Sequence, residues 1–242
     1  MRLLCINPNT SADMTATVVA ALKPFLPQTA DIVPVTGQFG APYISTRATF
    51  AIGGHAALHA FAHHAQQPWD AVLLACFGDP AVFALREIAE VPVIGMAEAA
   101  MQVAARAPGA FSIVTGGKAW EPMLKEFAAQ IGLADRLASI RATTATGGDI
   151  FRNPQAAIAQ LATEIAACQH DGAQRVILGG AGLAGLAAQL RPLVTVPVID
   201  CVEALAVVAC EAIAADRTNG LVARNSPQAA ELAAQSWFQA LR

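Results

Sequence analysis

Charged residues are scarce in this chain. Asp, Glu, Lys and Arg make up 14% of its 242 residues and leave a formal net charge of −3. Nucleic-acid phosphates are held by a clustered excess of Lys and Arg, so no partner of that kind is expected. A long uninterrupted apolar run is also missing. A membrane-spanning helix needs about 20 predominantly apolar residues, and the most apolar stretch, Cys201 to Ala215, is broken by Glu203 and Glu211. Met1-Arg2-Leu3-Leu4-Cys5 meets Asn7-Pro8-Asn9 too early for a signal peptide. No membrane association and a cytoplasmic location are therefore expected. Cys-x-x-Cys spacing is absent, and the five cysteines (5, 76, 168, 201 and 210) are odd in number and scattered. They read as reduced thiols, with neither a disulfide framework nor a metal site.

Apolar residues are plentiful, at 55% of the chain. That content excludes disorder, and the length suits one large domain or two small ones with a full core. Short β-branched runs recur at Leu3–Ile6, Ile32–Val35, Ala71–Ala75, Val93–Ile94, Phe111–Val114, Arg175–Leu178 and Val196–Ile199. Their length and composition predict buried parallel strands. Between them lie Ala-rich stretches such as Ala156–Gln169 and Glu203–Ala215, which predict helices. Helix starts are signalled at Ser11, Asp79-Pro80 and Asn153-Pro154. Thr143 to Asn153, with Gly147-Gly148, reads as the most loop-like segment. The alternation predicts an α/β fold of mostly parallel sheets flanked by helices.

An internal repeat organises the chain. Val91-Pro92-Val93-Ile94-Gly95-Met96-Ala97-Glu98-Ala99 returns about 105 residues later as Val196-Pro197-Val198-Ile199-Asp200-Cys201-Val202-Glu203-Ala204. Upstream, Val72-Leu73-Leu74-Ala75-Cys76 pairs with Val176-Ile177-Leu178-Gly179-Gly180. A period this long is no solenoid. It predicts two pseudosymmetric α/β halves, one from residues 1–95 with 205–242 and the other from 96–204. Ligands bind beyond the carboxyl ends of parallel strands and in crevices between units. Positions 76 and 180 are thus expected to face a ligand from opposite sides.

The strand ends carry the candidate chemistry. Cys76 opens Cys-Phe-Gly-Asp-Pro at a strand-to-helix junction, where backbone N–H groups and a helix start favour a thiolate. Asn7-Pro8-Asn9-Thr10-Ser11 and Thr115-Gly116-Gly117 put amide, hydroxyl and backbone N–H groups where a carboxylate or imide oxygen can be held. The same groups serve equally as helix caps. Gly180-Ala181-Gly182-Leu183-Ala184-Gly185 matches a dinucleotide-binding pattern formally. Too little chain follows Asp200 to complete such a fold, so no dinucleotide is expected. His55, His59 and His63, with His64 adjacent, form a stripe that reads as solvated or oligomer-facing and not as a metal site. Glu98 and Glu203 are either acids of the site or helix-start residues.

Taken together, these segments resemble the Asp/Glu/hydantoin racemase superfamily, and more closely its hydantoin and allantoin racemase branch. The resemblance rests on Asn7-Pro8-Asn9-Thr10, Pro42-Tyr43-Ile44, Ala75-Cys76-Phe77-Gly78-Asp79-Pro80, Gly95-Met96-Ala97-Glu98-Ala99, Thr115-Gly116-Gly117 with Trp120, and Leu178-Gly179-Gly180-Ala181-Gly182-Leu183. It implies a cofactor-independent isomerase with amino-acid or hydantoin racemase activity. It also implies two α/β halves and a small carboxylate or ureide substrate. In such enzymes one thiolate removes the proton α to a carbonyl and a second thiol returns one on the opposite face. The resemblance makes Cys76 the catalytic thiol, with Asn9, Thr10, Phe77, Gly78, Thr115, Gly116, Gly179 and Gly180 around the substrate.

One departure from the family pattern is decisive. Where the second half carries its cysteine in a Gly-Cys-Ala-Gly loop, this chain has Gly180. Cys201, after the next strand, is the possible second thiol. The related arylmalonate decarboxylases work with a single cysteine, which makes single-thiol decarboxylation the alternative reaction. A non-catalytic binding homologue is a third reading. The Ala-rich helices and the histidine stripe suggest a homo-oligomer.

Overall fold

A computed structural model describes residues 1–219. The first sheet uses β1 (Arg2–Asn7), β2 (Asp31–Thr36), β3 (Ala71–Leu74) and β4 (Val93–Gly95), in the order β2-β1-β3-β4. The second uses β5 (Phe111–Gly116), β6 (Leu137–Thr143), β7 (Arg175–Gly179) and β8 (Val198–Asp200), in the order β6-β5-β7-β8. All neighbouring pairs are parallel, and the two strand orders are the same. The connecting helices are α1 (Ala12–Leu22), α2 (Arg47–His64), α3 (Val82–Ile88), α4 (Met96–Ala105), α5 (Trp120–Gln130), α6 (Gly147–Arg152), α7 (Pro154–His170), α8 (Ala187–Leu190) and α9 (Cys201–Asn219). The α/β fold with two helix-flanked parallel sheets is as expected. Of the expected first half, residues 220–242 lie outside the described residues.

The repeat is visible in hydrogen bonds as well as in sequence. Arg86 Nε donates to the Val93 carbonyl (3.0 Å) and its guanidinium pairs with Glu98 (2.7 Å). In the second unit Arg191 donates to Val198 (3.2 Å) and pairs with Glu203 (2.7 Å). Glu98 and Glu203 are therefore partners of these arginines and stand outside the cavity wall described below.

The burial pattern explains the composition. β3 and β5 are buried along their whole length, and β1 is buried from Leu3 onward. A parallel sheet covered on both faces demands such continuous apolar runs. Helices α4 and α9 pack on each other and against strands of both sheets. Their Ala-rich faces, with Ala97, Ala99, Ala100, Ala104, Ala204, Ala206 and Ala209 all buried, let the layers approach closely without loss of helix propensity. One apolar core consequently runs from Leu3 and Leu73 through Met101 and Leu205 to Ile113 and Ile177. A second, smaller one lies beneath α7 around Leu161, Ile165 and Leu178.

Local signals fared unevenly. Ser11 accepts the Met14 N–H (3.2 Å) and caps α1, and Pro154 is the first residue of α7. All seven expected strands are present. The eighth, β6, gave no signal because Ser139 and Arg141 interrupt its apolar residues, so no continuous β-branched run marks it. The expected loop over Thr143–Asn153 is instead the end of β6, a short link and helix α6, which Thr146 and Asp149 cap reciprocally. Its glycines serve close packing: a Cβ on Gly182 would lie 2.2 Å from the Gly147 carbonyl oxygen. The Gly180–Gly185 segment forms a single 3-10 turn, and the following α8 has only four residues. No long helix starts there to receive a pyrophosphate.

Close approach of α4 to its neighbours has a measurable consequence. Ala100→Leu is expected to overpack this layer and cost about 1–3 kcal/mol. An unchanged urea midpoint would contradict the placement of α4.

Candidate active site

The carboxyl ends of β1, β3, β5 and β7 converge on one small cavity lined by residues of both units. Cys76 stands two residues beyond β3 and is 6% exposed. The turn that follows it is unusual. Gly78 has φ +144°, and two non-glycine residues, Asp79 (φ +55°) and Ala81 (φ +63°), adopt left-handed conformations. Such conformations persist only where surroundings enforce them. Two enforcing contacts are evident. A Cβ on Gly78 would lie 2.4 Å from the Trp120 ring. Asp79 is buried and accepts the N–H groups of Ala97 (3.0 Å) and Glu98 (2.8 Å).

Asp79 is thus the cap of α4, supplied from another loop. The sequence placed Asp79-Pro80 at the start of its own helix, but α3 begins at Val82 and takes no side-chain cap. The reason lies at Gly95, the residue before α4, where a Cβ would come within 2.3 Å of the Asp79 carboxylate. The repeat counterpart of Gly95 is Asp200, which caps α9 itself by accepting the Val202 N–H (2.8 Å).

The second unit supplies Thr115, Gly180, Ala181 and Trp120 to the cavity wall, and the first supplies Asn9, Met14, Tyr43, Ile44, Cys76 and Phe77. Asn9 Oδ1 accepts Asn7 Nδ2 (2.8 Å) and the Ser11 N–H (2.9 Å), which fixes the turn after β1. Its Nδ2 contacts the Met14 sulfur (3.3 Å), a weak acceptor. This leaves the amide able to donate to a ligand oxygen. Gly180 has φ +143°, and a Cβ there would point between Leu183 (3.0 Å) and Thr115 Oγ1 (3.8 Å). A cysteine at 180 requires this turn to leave its present conformation.

Of the residues singled out in sequence, Asn9, Cys76, Phe77, Thr115 and Gly180 line the cavity. Gly78 lies against the outer part of the Trp120 ring, and Gly179 packs on the Phe77 ring, where a Cβ would come within 2.3 Å. The Gly116 carbonyl accepts the Tyr43 hydroxyl (3.4 Å). Thr10 is not in the wall, and its N–H goes to the Ala41 carbonyl (3.1 Å). Cys201 is 1% exposed and also outside the wall. Burial pushes its thiol up, the Asp200 charge adds to this, and the Gly180 backbone within hydrogen-bonding reach of the sulfur partly offsets it. Met14, Tyr43, Ile44, Trp120 and Ala181 escaped the sequence reading as site residues. Tyr43, Ile44, Trp120 and Ala181 lay in segments already singled out.

The electrostatics reverse one expectation. Burial pushes the Cys76 thiol well above its ordinary range, and the nearby Asp79 charge pushes it further. The helix start expected to stabilise a thiolate begins six residues on, and among the described residues no Lys, Arg or His lines the cavity. Cys76 rests as a thiol. The histidine stripe lies elsewhere, with the Phe39 ring 4.9 Å from His55 and 5.4 Å from His59. Among the described residues no group of three or more His, Cys, Asp or Glu is placed to hold a metal ion, and no helix is long and apolar enough to cross a membrane.

A two-sheet α/β protein with a thiol in a crevice between its strand ends is the class these observations define. A family model for Asp/Glu/hydantoin racemases matches residues 3–209. The chain is 35% identical over 207 residues to a hydantoin racemase of Paenarthrobacter aurescens, covering 84% of this chain and 87% of that one. It superposes on an allantoin racemase from Pseudomonas fluorescens with a TM-score of 0.84 at 30% identity, covering 91% and 92% of the two chains. An allantoin racemase from Klebsiella pneumoniae gives a TM-score of 0.82 at 32% identity, with 91% and 89% covered. The chain belongs to the Asp/Glu/hydantoin racemase family, and its nearest likeness among these is to hydantoin and allantoin racemases.

The Asp79 cap can be tested through stability. Burial raises its carboxyl from 3.8 to about 7, against the two N–H bonds that favour the charged form. Folding therefore disfavours its ionisation. The stability it contributes is full at low pH and is lost as pH rises through the window from 3.8 to about 7. Asp79→Asn is expected to flatten that part of the pH dependence. Asp79→Ala leaves two buried N–H groups without their acceptor and is expected to cost about 1–3 kcal/mol. Urea denaturation at several pH values checks both; equal pH slopes in wild type and the Asn variant contradict the assignment.

Proposed function

We propose that this chain is a cofactor-independent racemase-type enzyme that moves a proton at the carbon α to a carbonyl of a small ureide or carboxylate. Cys76 is the thiol that carries the proton. The observation behind this reading is the placement of Cys76 in the wall of a cavity where the strand ends of both sheets meet. The likeness to hydantoin and allantoin racemases supports a five-membered ureide ring with one hydrogen on the stereocentre as the substrate class.

The surroundings suit an enolate. Removing a proton α to a carbonyl puts negative charge on the carbonyl oxygen, and fixed donors in a dry site stabilise it. The Asn9 amide and the Thr115 hydroxyl line the same wall. Phe77, Trp120, Met14 and Ile44 keep the surroundings apolar. The cavity measures about 20 Å³, room for about one water. A ring enters only if residues of this wall move outward.

A second reading is favoured by one observation: among the described residues the wall contains one thiol, held protonated by its burial. A substrate that loses carbon dioxide makes its own enolate and needs only a proton donor. Single-thiol decarboxylation of an activated dicarboxylate is the alternative reaction.

Both readings predict that Cys76→Ser lowers turnover by about 10²–10⁴-fold while the protein stays folded. In heavy water, racemisation places deuterium on the stereocentre of both enantiomers of a 5-substituted hydantoin. Decarboxylation releases carbon dioxide from a malonate and yields one enantiomer. Full turnover by Cys76→Ser on either substrate removes Cys76 from the mechanism.

A further inference from the structure

Inversion of a stereocentre needs a proton removed from one face and another delivered to the opposite face. Among the described residues that line the cavity, two side chains ionise as acids: Cys76 and Tyr43. We propose that the Tyr43 phenol is the second acid–base group of this site, acting on the substrate face opposite Cys76. The proposal rests on the proton-transfer reading above and deepens it.

The placement of Tyr43 carries the argument. It belongs to the segment between β2 and α2, yet its hydroxyl reaches the second sheet and donates to the Gly116 carbonyl (3.4 Å). Gly116 ends β5, the strand paired with β7, after which comes Gly180. The phenol oxygen thus sits on the second-sheet side, one strand from the position where the family pattern puts a thiol. Cys76 comes from the first sheet. A Cβ on Gly147 would lie 2.4 Å from this hydroxyl, so any other residue at 147 crowds the phenol.

Tyr43 also has partners in both protonation states. The Gly116 carbonyl accepts from the phenol. The Trp120 side chain and the Gly147 backbone are positioned to donate to a phenolate. Both side chains line the same cavity, burial is the main effect raising the Tyr43 pKa, to about 12, and a thiolate at Cys76 adds to it. Asn9, Thr115 and Trp120, the other polar residues of the wall, do not titrate in water's range.

The proton balance closes without another reactant. The Cys76 thiolate takes the proton from the stereocentre, and the C–H electron pair becomes the enolate. The Tyr43 O–H then gives its proton to the other face of the same carbon, leaving a phenolate and a neutral thiol. The opposite enantiomer runs the pair in reverse, with phenolate as base and thiol as acid. Each reactive form holds one proton between the two groups, so the resting site, with both groups protonated, first gives one proton to solvent.

The test uses enantiopure 5-substituted hydantoins in heavy water with the full chain. Tyr43→Phe is expected to lower inversion by about 10²–10⁴-fold. One enantiomer should still exchange its hydrogen for deuterium with retention, through Cys76 alone. Cys76→Ser should show the opposite enantiomer preference. Inversion by Tyr43→Phe at the wild-type rate overturns the proposal and leaves the role of Cys76 intact. Absence of any exchange by the wild type overturns the underlying proton-transfer reading instead. A second measurement is independent of turnover. Tyr43 is the only tyrosine of the chain, so near-ultraviolet tyrosinate absorbance reports it alone. Saturation with a ring-planar hydantoin should shift that titration, because the phenol then faces bound ligand. A titration unchanged at saturation places Tyr43 away from the substrate and overturns the proposal.

Discussion

Two helices begin in the interior of this protein, and their exposed N–H groups are the constraint around which the site is built. The first turn of a helix leaves backbone donors without intrahelical partners, and in a dry core each needs an acceptor. Helices α4 and α9 start between the sheets and use a buried carboxylate for this purpose. For α9 the acid is Asp200, directly before the helix. For α4 it is Asp79, reaching from the turn after β3 into the notch left by Gly95. The duplicated units thus solve the same problem from different positions. Where the cap comes from the neighbouring loop, the turn bearing Cys76 is pinned in place. Where the cap is local, the turn bearing Gly180 is released from that duty.

The same burial governs the chemistry. With no cation among the described residues of the cavity wall and a carboxylate close by, Cys76 is a neutral thiol at rest, and the Tyr43 phenol is likewise held neutral. A site of this kind is suited to relaying protons between weak acids and a carbon. It is poorly suited to covalent attack by a stable thiolate, which an adjacent positive charge would favour. In the proposed reaction Asn9 and Thr115, which line the same wall, are the donors toward a developing oxygen charge.

Much of the fold was legible because parallel sheets write themselves into sequence as continuous apolar runs. β1, β3, β5 and β7 are such runs, and their order with the Ala-rich helices gave the two-sheet architecture. The edge strand β6, polar on one side, carries no such pattern. Of the site, the strand-end residues Asn9, Cys76, Phe77, Thr115 and Gly180 were legible, because parallel strands bring their carboxyl ends to one place. Tyr43 and Trp120 were not, since they arrive from connecting segments whose paths depend on tertiary packing. The charge state of Cys76 was misread for a related reason. Local sequence suggests a helix start, whereas the left-handed residues Asp79 and Ala81 postpone that helix and turn the carboxylate toward α4.

The central claim is that the carbon undergoing proton transfer sits between a first-sheet thiol and a second-sheet wall. A crystal structure of the chain with a bound 5-substituted hydantoin tests it most directly. The account predicts the ring inside the crevice, its stereocentre about 3–3.5 Å from Cys76 Sγ and its other face toward Tyr43. A ring bound outside this crevice, with Cys76 still sealed behind protein atoms, would contradict it.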